Sequence, residues 1–75
     1  MDLYEKNNCD ITIRALTYSK TGKPKKGKLL AYIKNANFVF ADDLLTISNN
    51  ETYRIDIKPY AIIKALYSII VIVKI

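Results

Sequence analysis

Apolar residues recur at every second position through most of this chain, the period expected of strands with two distinct faces. Ile11, Ile13, Ala15 and Thr17 alternate with Thr12, Arg14, Leu16 and Tyr18, which predicts a first strand. From Lys28 to Lys34, Leu29, Ala31 and Ile33 alternate with Leu30 and Tyr32 in a second strand, antiparallel to the first if a hairpin joins them. Asn35 to Asn37 reads as a bend, and Phe38 to Phe40 as a third short strand or as the second continuing beyond a bulge. Asp42 and Asp43 mark the next turn. The segments LLTIS and ETYRIDI flank Asn49 and Asn50, and asparagine tolerates the left-handed backbone of a two-residue turn, so a tight hairpin is predicted. Its second arm turns Tyr53, Ile55 and Ile57 to the core and Thr52, Arg54 and Asp56 to water. Pro59 ends that arm, because it cannot donate to a ladder. Tyr60 to Leu66 suits a short helix or a strand equally well, and the β-branched run within Tyr67 to Ile75 predicts a last strand covered on both faces.

Five strands joined by short turns describe an all-β chain, a small antiparallel five-stranded barrel of SH3-like or oligonucleotide-binding type or else a small half-open sheet. It occupies residues 1–75 as one domain, with residues 1–9 frayed or forming one helical turn before the first strand. A chain of 75 residues buries only about 60 % of the surface its unfolded form exposes. That shortfall favours a homo-oligomer or a partner protein that covers part of the surface.

Charge sharpens this picture, because it is unevenly placed. Lys20 to Lys34 holds six lysines and no acid, whereas the remaining residues carry six basic and seven acidic groups. The net charge of +5 therefore describes one segment. Gly22, Pro24 and Gly27 interrupt regular structure there, so a lysine-rich loop at a hairpin tip is expected. Such a loop suits phosphate, and it equally suits the plain task of keeping a small apolar domain soluble.

From Ile11 to about Leu66 the chain resembles the Sm and Hfq-like family of RNA-binding proteins. Gly22 and Gly27 look like the pair of glycines near the start of that family's second strand, and NANFVF at Asn35 to Phe40 is similar to its asparagine and aromatic stretch. IKPYAI at Ile57 to Ile62 is similar to the signature that carries the family's RNA-binding lysine, with Ile57 and Pro59 where the family has tyrosine and histidine. The resemblance implies an Sm-like barrel, a homo-oligomer, Lys58 on RNA and Phe38 stacked on a base. The stretch from Phe38 to Leu66 also has the rhythm of a pleckstrin-homology-like half sheet, which implies a protein-interaction module instead.

The chemistry of the remaining residues argues against an enzyme. Histidine is absent, and Cys9 is the only cysteine, so neither a multi-cysteine metal site nor an activated thiol is expected. Asp42 and Asp43 are adjacent and more suited to a turn than to a shared acid–base site. No cofactor is implied. The expected activity is binding of single-stranded nucleic acid, RNA above all, with Lys23, Lys25, Lys26, Lys28, Arg54 and Lys58 on phosphates and Tyr18, Tyr32 and Phe38 as stacking candidates. The alternative is an inhibitor or adaptor that pairs through an edge strand or hairpin. Residues 60–73 form an apolar stretch broken by Lys64, short of the roughly 20 residues that cross a bilayer. Met1 to Asn8 lacks the basic start and apolar run of a signal peptide, so the expected location is cytoplasmic.

Overall fold

The computed structural model describes residues 3–49 and 53–75, which form one mixed sheet of six strands. The strands are β1 (Leu3–Tyr18), β2 (Pro24–Ala41), β3 (Leu44–Asn49), β4 (Tyr53–Ile57), β5 (Ala61–Lys64) and β6 (Ser68–Val73). Their order across the sheet is β4-β3-β2-β1-β6-β5. The chain is all-β as expected, but its six strands form an open sheet whose edge strands β4 and β5 do not pair, in place of a closed five-stranded barrel, and there is no helix among the described residues. Leu3 to Cys9 belongs to β1 and is not frayed, and the ambiguous segment after Pro59 contributes a strand. One pairing also departs from the antiparallel expectation, because β6 runs parallel to β1 from Asp10↔Ser68 to Ala15↔Val73.

The sheet is strongly curled. Strands β4 and β5 occupy opposite edges, yet only residues 58–60 connect them. Four Cα steps reach at most roughly 14 Å, whereas five interstrand spacings in a flat sheet span roughly 24 Å. Curling brings the two edges toward one another, and the Tyr60 amide donates to the Ile72 carbonyl at 2.7 Å where the link arrives.

Bulges produce part of this bend. Asn8 and Asn35 have φ of 56° and 52°, and they lie at register shifts on facing sides of the β1–β2 ladder. Each shift changes which parity points inward. Tyr4 packs on the core before the Asn8 bulge, and Cys9, Ile11 and Ile13 are buried after it. Ile33, Ala36 and Phe38 are buried on β2 with the same break in spacing. The second strand and the FVF segment are thus one long strand, bent at Asn35. The core is completed by Leu45 and Ile47 of β3 and by Ile69 and Val71 of β6.

The turns follow local chemistry. Asp42 and Asp43 both take positive φ, 52° and 63°, between the paired residues Ala41 and Leu44, the conformation that suits a two-residue hairpin. The arms of the next hairpin pair from Leu45↔Ile57 to Asn49↔Tyr53, so Asn49 belongs to β3, and the rest of its turn lies outside the described residues. Arg54 and Asp56 are exposed while Ile55 and Ile57 are half-buried, as the alternation predicts.

Gly27 sits where β2 bulges against β1. A Cβ at this position would lie 2.8 Å from the Ala15 carbonyl oxygen and 3.0 Å from Thr17 Cγ2. The obstacle includes backbone, so Gly27→Val is expected to destabilise the protein by about 1–3 kcal/mol, measured as a lower urea midpoint; an unchanged midpoint would show that the two strands have room to part.

Cys9 is buried, and its thiol donates weakly to the Ala36 carbonyl at 3.6 Å. Burial pushes the thiol above its ordinary value of 9.0, offset in part by Lys6. Because the folded pKa is the higher one, this contribution to stability is intact below about pH 9 and is lost as pH rises further. Native protein should react with iodoacetamide about tenfold or more slowly than denatured protein at the same pH; equal rates would place the thiol at the surface.

Candidate nucleic-acid interface

The β1–β2 hairpin carries most of the positive charge, and its geometry differs from the expected loop. Only Ser19 to Lys23 forms the turn, closed by Ser19 N–H to the Lys23 carbonyl and Gly22 N–H to the Ser19 carbonyl, both at 2.9 Å. Gly22 has φ of 83°, which glycine adopts without strain. Ser19 Oγ accepts from the Lys23 amide at 3.1 Å and fixes the turn further. Lys25, Lys26 and Lys28 therefore lie on β2, not in a loop. Pro24 is compatible with that strand because it stands at its first position. Beyond Asn37, β3 covers β2, but no strand pairs with the outer rim of β2 from Pro24 to Ala36 among the described residues. Lysines on this rim discourage indiscriminate strand pairing and leave their ammonium groups in water.

The cross-strand register gives the hairpin two faces. Thr12↔Tyr32, Arg14↔Leu29, Leu16↔Lys26 and Tyr18↔Pro24 lie on the face away from the core. Tyr18 and Tyr32 are 55 % and 53 % exposed there. Two aromatic surfaces and Lys26 thus share one side of the hairpin. Arg14 Nη1 donates to the Gly27 carbonyl at 2.9 Å, which ties its guanidinium to the bulge. The Tyr32 hydroxyl donates to Asp10 Oδ2 at 3.3 Å, and Asp10 Oδ1 accepts from the Asn35 amide at 3.1 Å. Partial desolvation and the Asp10 carboxylate raise the Tyr32 phenol above its ordinary value, so it is a neutral donor at physiological pH.

The parallel placement of β6 extends this surface. Its C-terminal end lies beside the C-terminal part of β1, so Leu16, Tyr18, Lys74 and Ile75 line one shallow cleft of about 280 Å³. Lys74 also joins Lys58, Pro59 and Tyr60 around an adjoining cleft of about 460 Å³. Its Nζ stands 5.7 Å from the centre of the Tyr60 ring. Lys74 therefore links the hairpin to Lys58. Neither Tyr60 nor Lys74 has a sequence signal that singles it out. An antiparallel last strand would have carried Lys74 to the other end of β1.

The sequence-predicted residues thus separate into three groups. Lys23, Lys25, Lys26, Lys28 and Tyr32 are exposed on the hairpin, and Lys58 reaches the same region through Lys74. Phe38 is fully buried and meets Tyr4 edge-on at 5.7 Å, so it is a core residue and not a surface for a base. Arg54 lies on the β4 edge, 3.4 Å from Asp56, and lines neither lysine cleft. The described residues contain no group of three or more His, Cys, Asp or Glu side chains placed to hold a metal. They contain no helix long and apolar enough to cross a membrane. The chain matches no family model, no curated protein and no solved structure.

Proposed function

We propose that the protein binds single-stranded nucleic acid, RNA above all, along the outward face of the β1–β2 hairpin and into the Lys58, Tyr60 and Lys74 cleft. The observation that carries this reading is the sharing of one face by exposed Tyr18, exposed Tyr32 and Lys26, with Lys74 beside Tyr18. Sequence-tolerant single-strand binding needs a cationic track for phosphates and aromatic planes for bases, and this surface supplies both. No catalytic step is part of the proposal. The Sm-like resemblance belongs to the same reading through Lys58, while its base-stacking position does not, since Phe38 is buried.

The test is titration of a fluorescently labelled oligo-U strand at several salt concentrations. With three lysines on phosphates, Lys26, Lys28 and Lys74, a roughly fourfold rise in salt should weaken binding about twentyfold. Absence of binding at low salt would overturn the proposal. A second reading, an inhibitor or adaptor, is favoured by the rim of β2 from Pro24 to Ala36, which has no strand partner among the described residues and to which a partner strand would add by backbone hydrogen bonds. It predicts retention of a protein partner after nuclease treatment.

A further inference from the structure

We propose that the β4 edge is self-complementary and pairs antiparallel with β4 of a second copy, giving a dimer whose two sheets join edge to edge. Strand β4 pairs only with β3, which leaves one row of its backbone N–H and C=O groups without a strand partner among the described residues. Its sequence is Tyr-Arg-Ile-Asp-Ile, with Arg54 and Asp56 on the exposed side and Ile55 half-buried at the margin of the core.

Symmetry and charge together select one register. A two-fold axis normal to the sheet must pass through a residue, because an axis between residues would set an inward side chain against an outward one. Centring on Arg54 opposes two arginines, and centring on Asp56 opposes two aspartates. Centring on Ile55 places each Arg54 opposite Asp56 of the other copy and brings the two Ile55 side chains together over the joined cores. Centring on Ile57 would set Asp56 opposite Lys58, which lies beyond the end of β4 and next to Pro59, so within the strand itself only the Ile55 register pairs opposite charges twice. Within one chain Arg54 Nε already reaches Asp56 Oδ1 at 3.4 Å, while Thr46 Oγ1 donates to the same oxygen at 2.9 Å. The carboxylate is thereby held on the exposed side, with its other oxygen available to a facing guanidinium. The rim of β2 is less suited to self-pairing, since its lysines would meet one another.

The decisive experiment is charge reversal read by sedimentation equilibrium on protein freed of nucleic acid. Wild type should dimerise, and Arg54→Asp or Asp56→Arg alone should weaken dimerisation about tenfold or more, because each sets like charges opposite one another twice. The double variant R54D/D56R should dimerise again. Mixing the two single variants should give a heterodimer, which also demonstrates that both fold. A wild-type monomer, an assembly of three or more copies, single variants that dimerise undiminished, or a mixture that stays monomeric would each overturn the proposal.

Discussion

Phe38→Ala is expected to unfold a large share of the molecules instead of producing a folded protein that has lost only its ligand. Phe38 is fully buried where β2 crosses from its bend toward β3, and Tyr4 meets it at an interplanar angle of 76°. Its pairing partner on β3 is Ile47, also fully buried. Truncating a core phenylalanine to alanine costs about 3–5 kcal/mol, from the transfer energy forfeited together with the cavity left behind. A domain of this length has a total stability of roughly 4–11 kcal/mol at about 0.05–0.15 kcal/mol per residue. The loss is therefore a large fraction of the whole. Urea denaturation followed by circular dichroism should show the midpoint collapse. An unchanged midpoint with selective loss of oligonucleotide binding would return Phe38 to the surface and refute its place in the core.

The second large effect concerns the tyrosines. Replacing both Tyr18 and Tyr32 by alanine should weaken oligo-U binding by about 2–6 kcal/mol in total, at about 1–3 kcal/mol per stacked base. The dependence of affinity on salt should stay nearly constant, because stacking releases no counterions. Both side chains are more than half exposed, so the double variant should unfold close to the wild-type midpoint. The contrast with Phe38 is the useful feature of the pair. Similar losses of affinity would arise by different routes, one through the fold and the other through the surface. If Tyr18 and Tyr32 can be removed without effect on affinity, the bases do not lie on this face.

The alternation of apolar positions made most of the strands legible, because a half-buried strand imposes a period of two. The Asp42–Asp43 turn was legible for the same kind of local reason. What escaped was decided by pairings distant in sequence. A period of two is the same in parallel and antiparallel ladders, so nothing within Ser68–Val73 indicates that this strand runs alongside β1. Residues 60–66 could be helix or strand in the sequence because Ala, Leu and Lys suit a helix as well as the isoleucines suit a strand, and pairing with β6 is what makes β5 a strand. Gly27 and Pro24 suggested a loop because they are poor strand residues on average. The close approach of Ala15 is what makes glycine the right residue inside that strand. Phe38 illustrates the limit for the site, because an aromatic beside asparagines looks the same in sequence whether it stacks on a base or fills a core. Lys74 illustrates the converse, an ordinary terminal lysine that becomes part of a cationic surface only through topology.

The most direct measurement of the central claim is the slope of log affinity against log salt for wild type and for the variant Lys26→Ala/Lys28→Ala/Lys74→Ala, with the same single-stranded RNA. Each lysine taken off a phosphate should reduce the slope by about 0.7, so the triple variant should be shallower by about 2 and should bind far more weakly at low salt. Equal slopes and equal affinities for the two proteins would contradict the assignment of nucleic-acid binding to this hairpin and the cleft beside it.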